Sequence, residues 1–322
     1  MSKILITYQI PEAGEEKLRG AGHDVTVHEG SALIEPAALA AALKEYDGIL
    51  TLLTEKLGAD ELAEAGDQLK VIANYSVGYD NIDVPAATAK GITVTNTPGV
   101  LNDAVAEHAI ALLVSLARRV VEADQFTRDG KYEGWRPQLL MGTSLTGKTL
   151  GIVGLGRIGS EVAKRAKNGF GMKIAYNDLK PNTDFEAETE ATYYENLDDM
   201  LPEMDAISVH VPLLDATHHL INADRLATMK ESALLVNTSR GPVIDEDALV
   251  MALQNDVIRG AALDVFEDEP KLKPGLAELP NVIITPHIAS GTIETRSAMA
   301  ELAADNIIAV LAGEKPPTPV TK

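Results

Sequence analysis

Residues 149–178 read TLGIVGLGRIGSEVAKRAKNGFGMKIAYND, and this stretch decides the fold. An apolar run opens it and breaks at Gly154-x-Gly156-x-x-Gly159. A helical pattern follows, then a second β-branched and aromatic run that ends at Asn177-Asp178. Three glycines alone would mean only an ordinary strand-to-helix turn. Between a strand and a helix, in a strand–helix–strand unit, they allow a tight turn and bring backbone N–H groups close to a pyrophosphate at a helix N-terminus.

The end of the second strand selects the dinucleotide. A carboxylate there accepts from a ribose 2′-hydroxyl and repels a 2′-phosphate. Asn177 occupies the usual carboxylate position, Asp178 follows it, and Lys180 stands two residues on, where an ammonium would suit a phosphate. The expected cofactor is NAD, with NADP as the alternative.

Outward from this unit, short β-branched runs alternate with amphipathic stretches, the mark of parallel βαβ units. TLGIVG (149–154), KIAYN (173–177), AISVHV (206–211), ALLVNTS (233–239), GAALDVF (260–266) and NVIITP (281–286) give a six-stranded dinucleotide-binding sheet. Upstream, KILIT (3–7), DVTVH (24–28), GILTLL (48–53), KVIANYS (70–76) and ITVTN (92–96) give a second series of five. The fold class is therefore α/β, with two doubly wound parallel-sheet domains. Residues 96–126 begin with a Pro-Gly breaker and read as one unbroken helix capped by Asn102 or Asp103, long enough to join two domains. The helical C-terminal stretch would cross back. The expected division is 1–99 plus 288–322 for one domain and 100–287 for the other, with a hinge and a cleft between them.

Composition sets outer limits. The chain has 322 residues, 45% of them hydrophobic but only 4% aromatic, so its cores must be aliphatic. Lys and Arg total 28 against 48 Asp and Glu, a net charge of -20. Such a polyanion is not expected to bind nucleic acid or an anionic membrane, and an anionic substrate would need local positive charge. There are no cysteines, which removes disulfides, thiolate metal sites and a thiol nucleophile; no metal is expected. The N-terminus resembles neither a signal peptide nor an anchor, and no apolar run is of membrane-spanning length, so a cytoplasmic location is expected.

Three residues of different chemistry each follow one of three successive strands: Arg240, Glu269 and His287. Singly, each has an ordinary explanation: a surface arginine, a solvated loop carboxylate, a structural histidine. Together, at the carboxyl edge of a parallel sheet, they match the needs of carbonyl reduction by hydride. Histidine supplies the proton to the developing alkoxide. A carboxylate fixes its tautomer and favours its charged form. Arginine forks onto an anionic substrate and polarises its carbonyl.

With these residues in place the chain resembles the D-isomer-specific 2-hydroxyacid dehydrogenases over essentially its whole length. The matching stretches are NYSVGYDNID (74–83), NTPGVLNDAVAEHAIAL (96–112), LTGKTLGIVGLGRIG (145–159), DAISVHVPL (205–213), LLVNTSRGPVIDEDAL (234–249), ALDVFEDEP (262–270) and NVIITPHIAS (281–290). The resemblance implies a Rossmann NAD-binding domain, a flavodoxin-like substrate domain and a homodimer formed through the long helix. It implies that Arg240, Glu269 and His287 are catalytic, and that Leu53, Arg240 and the amides of Val77 and Gly78 hold a 2-keto or 2-hydroxy acid. It places Gly154, Gly156, Arg157, Ile158 and Gly159 along the pyrophosphate and Asn177 and Asp178 at the ribose. Val105, Val211, Pro212, Thr217, Thr238, Ser239, Arg240, Asp264 and His287 complete the expected cofactor contacts. Asn177 departs from the acidic residue of many NAD-using members.

Within the family, NYSVGYDNID and Trp135 look more like glyoxylate/hydroxypyruvate reductases than fermentative D-lactate dehydrogenases. Trp135 would equally suit an interface anchor. Glu269 and the short N-terminus argue against a formate dehydrogenase, and the length leaves no room for an appended regulatory domain. A D-lactate or broad D-2-hydroxyacid dehydrogenase is the alternative enzyme. A NAD-sensing binding protein is the alternative of another class, disfavoured by the intact Arg, Glu and His set. Pocket width rests on the facing of Leu53, Tyr75, Trp135 and Met141.

Overall fold

A computed structural model describes residues 1–30 and 32–321. The chain divides into two compact units, Met1–Leu101 with Gly291–Lys322, and Asn102–Ser290. The breaks follow Leu101 and Ser290 rather than residues 99 and 287.

In the first unit, β1 (Lys3–Ile6), β2 (Asp24–Val27), β3 (Gly48–Thr51), β4 (Val71–Asn74) and β5 (Thr93–Thr95) pair in parallel in the order β2-β1-β3-β4-β5. Residues of β3 and β4 are buried throughout, which explains their continuous apolar runs: both sheet faces are covered, so there is no solvent face to alternate with. The C-terminal helix Ile293–Leu311 returns to this unit. It packs against the helix Glu12–Gly20 so closely that a Cβ at Gly14 would lie 2.9 Å from Ala300 Cβ.

The second unit holds β6 (Thr149–Val153), β7 (Lys173–Asn177), β8 (Thr192–Tyr194), β9 (Ala206–Val209), β10 (Leu234–Asn237), β11 (Gly260–Leu263) and β12 (Val282–Ile284). Their order is β12-β11-β10-β9-β6-β7-β8, all parallel. The sheet thus has seven strands, not six. The extra one, β8, is a three-residue edge strand, Thr-Tyr-Tyr, too short and too polar to stand out by its pattern. Chain order reverses between β6 and β9, so their loops diverge and open a crevice at the carboxyl edge, where such sheets bind ligands.

The expected single helix over 102–126 is two helices, Asn102–Ala117 and Val120–Arg128. Arg119 breaks it with a left-handed backbone, φ 54°. The Ala117 carbonyl, which would continue the helix, instead accepts from Thr143 N–H at 2.8 Å, and Arg119 turns its guanidinium onto Glu122 through two bonds of 2.7 and 2.6 Å. Competing tertiary hydrogen bonds therefore end a segment whose composition would allow it to continue. No described helix is long and apolar enough to cross a membrane.

Candidate active site

The glycine loop closes as its spacing requires. Gly154 has φ 93°, a left-handed value that a side chain resists, and a Cβ there would press on Val211 Cγ1 at 2.9 Å. A Cβ at Gly159 would drive into the Gly154 carbonyl oxygen and come within 3.0 Å of Ile152, so this glycine lets the helix Arg157–Phe170 sit on β6. Gly156 differs from both: it caps that helix, and a Cβ built on it would meet nothing within 4 Å. The protein itself does not need glycine there. The open space lies at a helix N-terminus with unpaired N–H groups, as a pyrophosphate requires. The residues present therefore fit a dinucleotide, with Arg157 and Ile158 forming the first turn of the helix.

At the ribose end, Asp178 Oδ2 accepts from Leu155 N–H at 2.8 Å and Oδ1 from Leu179 N–H at 2.6 Å. The carboxylate is thus fixed against the glycine loop. Asn177 is turned away toward β8, its Nδ2 donating to the carbonyls of Tyr194 at 2.9 Å and Glu195 at 3.2 Å. Leu155, Asp178, Lys180, Pro181, Asn182 and Thr183 line an open pocket of about 370 Å³. After β9, Val211 lies against Gly154, and Thr217 Oγ1 closes the loop by donating to Pro212 O at 2.6 Å. After β10, the buried Thr238 hydroxyl has no hydrogen-bond partner among the described residues, whereas Ser239 Oγ donates to Asn237 Oδ1 at 2.7 Å. Val105 is buried within the helix Asn102–Ala117.

The three chemically distinct residues converge. A Cβ at Gly241 would collide with the backbone of Phe266 and Glu267, so the β10 and β11 loops touch only because residue 241 has no side chain. Arg240 is thereby brought close enough for its charge to act on Glu269. Glu269 Oε1 accepts from Phe266 N–H at 2.9 Å, and Oε2 meets His287 Nδ1 at 2.9 Å. Burial pushes the Glu269 carboxyl up, but the His287 hydrogen bond and charge, the Phe266 N–H and the Arg240 charge outweigh it, so Glu269 titrates below the ordinary carboxylate range. An ionised carboxylate only accepts, so Nδ1 of His287 carries the hydrogen between them. Nε2 takes no part in this pair.

His287 itself has φ 53°, a left-handed backbone uncommon outside glycine. Asp264 holds it there. Its carbonyl accepts from His287 N–H at 2.9 Å, while its carboxylate accepts from Thr285 Oγ1 at 2.5 Å, Ile288 N–H at 2.9 Å and Ala289 N–H at 2.7 Å. Asp264 is fully buried. Desolvation raises its carboxyl, yet His108, Thr285 and the two N–H groups together bring it below the usual Asp range. Expected beside the nicotinamide, Asp264 has its oxygens engaged in building the histidine turn. His108, which the sequence reading passed over, stands 3.1 Å from Thr285 Oγ1 and 3.4 Å from Asp264.

In the first unit, Leu53 follows β3 and the half-buried Val77 and Gly78 follow its parallel neighbour β4. Asn81 ties the two loops, donating to the carbonyls of Leu52 at 3.2 Å and Glu55 at 2.9 Å. Tyr75 is buried, its hydroxyl donating to Arg296 O at 2.5 Å, while Trp135 and Met141 are exposed. One grouping was not foreseen: His218, His219 and Glu267 bring possible metal-ligand atoms within 4.8 Å of one another. Glu267 is already engaged there, by His219 Nε2 at 2.9 Å and by the Lys273 ammonium at 3.6 Å.

Comparison with known proteins places this geometry. Residues 110–289 match the model of the D-isomer specific 2-hydroxyacid dehydrogenase NAD binding domain. A glyoxylate reductase of Thermofilum pendens is 49% identical, covering 99% of this chain and 94% of that one. A Thermus thermophilus protein of known structure superposes with TM-score 0.92 at 43% identity, covering 99% of this chain and 100% of its own. The NADPH-dependent glyoxylate/hydroxypyruvate reductase of Sinorhizobium meliloti, solved with NADP and malonate, gives TM-score 0.86 at 37% identity, covering 99% and 97%. Family model, whole-length relatives and fold agree with a glycine loop and an Arg-Glu-His set on one sheet edge: the chain belongs to the D-isomer specific 2-hydroxyacid dehydrogenases.

Proposed function

We propose that this protein reduces small 2-keto acids with NADH, glyoxylate and hydroxypyruvate foremost, to the corresponding 2-hydroxy acids, of D configuration where carbon 2 is a stereocentre. The observation that carries the reading is the His287–Glu269 pair at 2.9 Å, with Glu269 held ionised and Arg240 beside it. Bound dinucleotide supplies the hydride. His287 Nε2 gives its proton to the carbonyl oxygen as that oxygen becomes an alkoxide, and Glu269 balances the imidazolium charge before transfer and holds the ring's orientation after it. Arg240 forks onto the substrate's carboxylate and carbonyl oxygens, the local positive charge that a chain of net -20 must provide for an anion. The Val77 and Gly78 N–H groups hold the carboxylate, and Leu53 bounds the substrate's side chain. The second unit accordingly serves as the dinucleotide-binding domain and the first as the substrate domain.

NADH is assigned over NADPH because Asp178, fixed by Leu155 and Leu179, sets a negative charge at the end of β7, where a 2′-phosphate would lie. A homodimer is assigned on the exposed apolar residues Val120, Val121, Trp135 and Met141 in the second helix and the segment after it. The cytoplasm is the proposed location, on the reading that the protein draws on a soluble NADH pool and on the finding that no described helix is long and apolar enough to cross a membrane.

Steady-state assays with glyoxylate, hydroxypyruvate, pyruvate and longer 2-keto acids, each with NADH and NADPH, test this. Turnover with NADH is expected foremost on glyoxylate and hydroxypyruvate. No turnover on any of them would overturn the enzymatic reading, and a preference for NADPH would overturn the role given to Asp178.

A further inference from the structure

The stretch Asn96-Thr97 lies just past β5, outside every role assigned so far. Thr97 N–H donates to the Ser76 carbonyl at 2.9 Å, and Asn96 Nδ2 donates to the Val77 carbonyl at 2.8 Å. A trans peptide is planar, and its N–H points opposite to its C=O. Fixing the Ser76 carbonyl therefore fixes the direction of the Val77 N–H, and fixing the Val77 carbonyl fixes that of the Gly78 N–H. Both N–H groups point away from the residues that clamp their peptides, and among the described residues neither finds a protein acceptor. Asn74, fully buried, adds a third clamp by donating to the Gly78 carbonyl at 2.8 Å.

Asn96 is itself held from the C-terminal end of the chain. Thr318 Oγ1 donates to the Asn96 carbonyl at 2.6 Å, and Asn96 N–H donates to the Thr318 carbonyl at 3.3 Å. Asn306, on the C-terminal helix with no exposed surface, donates to Thr318 Oγ1 at 2.7 Å and accepts from Thr318 N–H at 2.9 Å. A buried carboxamide has no reason to be in an aliphatic core unless its hydrogen bonds are needed. Here they run from the last helix through Thr318 to the Asn96 carbonyl, across that peptide from Thr97 N–H to the Ser76 carbonyl, and end on the Val77 N–H. Such chains also polarise each successive group, which makes the terminal N–H a stronger donor to an anion.

We infer that Asn96 is a positioning residue for the substrate carboxylate: with its main chain anchored by Asn306 and Thr318, its carboxamide orients the Val77–Gly78 peptide so that the amide pair presents its two donors to the substrate. The inference rests on the reading that these amides bind the carboxylate, and its test separates the two.

Wild type, Asn96→Ala and Asn96→Asp are assayed with NADH against glyoxylate and against glyoxal, which carries an aldehyde in place of the carboxylate. Asn96→Asp keeps the side chain's shape but cannot donate to the Val77 carbonyl, and it serves if the alanine variant unfolds. Wild type should prefer glyoxylate. In both variants KM for glyoxylate should rise roughly 10- to 100-fold, the loss of one well-aligned hydrogen bond to a charged group. kcat at saturation, kcat/KM for glyoxal and the NADH dissociation constant from fluorescence should stay near wild type. A general structural defect would instead lower all of these together. If wild type does not prefer glyoxylate over glyoxal, the carboxylate-binding reading itself fails. If wild type shows the preference and a folded Asn96 variant retains it, with KM for glyoxylate within twofold, the positioning inference alone is overturned.

Discussion

Asp264→Asn is the sharpest perturbation the second unit offers. The aspartate is fully buried, and its carboxylate accepts from one hydroxyl and two backbone N–H groups of the 285–289 turn. Asparagine has the same shape but only one accepting oxygen. If that oxygen serves Thr285 and Ile288, the new NH₂ faces the Ala289 N–H, donor against donor, at a position with no exposed surface. One buried N–H left unsatisfied costs about 1–3 kcal/mol, and the remaining bonds lose their charge assistance, so the whole change should cost about 3 kcal/mol. For a folding unit of this size that corresponds to a fall in Tm of roughly 6–12 °C. The same bonds keep His287 at φ 53°, so a loosened turn misplaces the imidazole. Misplacement by about 1 Å is worth about 100-fold in rate. Differential scanning fluorimetry together with kcat on glyoxylate measures both effects, and NADH binding serves as the control, expected to hold. A variant melting within 2 °C of wild type and turning over within twofold of it would refute the role of Asp264 as the builder of the histidine turn.

Further outcomes follow from other parts of the structure. His287→Ala should lose roughly 100- to 10,000-fold in kcat while binding NADH normally by fluorescence; near-normal rates would mean that another group carries the proton. Gly156→Ala should leave Tm unchanged, because a Cβ there meets nothing, and should weaken NADH binding about tenfold or more by filling the place of the pyrophosphate. Gly159→Ala, whose Cβ strikes the Gly154 carbonyl, should instead lower Tm, and calorimetry on the pair separates ligand space from packing. Glu55 is buried, and desolvation lifts its carboxyl from 4.5 to about 7 against the Leu52 N–H and the Thr7 hydroxyl. The folded state therefore holds this proton more tightly than the unfolded chain, and stability falls as pH rises from 4.5 to about 7. Glu55→Gln should remove about 3 kcal/mol of that slope, read from urea denaturation across the range; parallel curves for variant and wild type would sink the assignment.

Much of this was legible in the sequence because the features are local or periodic. Runs such as LLVN (234–237) and AISV (206–209) had to be strands buried on both faces. Glycines between strand and helix had to meet a phosphate or pack tightly, and Arg240, Glu269 and His287 each follow a strand, so the sheet's parallel sense brings them to one edge. What stayed hidden depends on partners far away in the chain. Nothing in EHAIALL marks His108 as a neighbour of Asp264. The break at Arg119 depends on Thr143 taking the Ala117 carbonyl, and β8 exists because β7 offers its edge to three residues of weak pattern. Asp264 reads as a cofactor contact until its three donors are seen, and the orientation of Asn177 away from the ribose end is a matter of two carbonyls, of Tyr194 and Glu195.

Gly241 bears on how this enzyme can be altered. The arginine and the acid-base pair keep their spacing because one peptide rests directly on another, with no side chain between to be lengthened or trimmed. A library at position 241 should therefore return mostly dead or misfolded clones, whatever the target substrate. Variation in substrate size has to be absorbed elsewhere, and Leu53, on a loop after β3 with partial exposure, is where random mutagenesis should find new specificities.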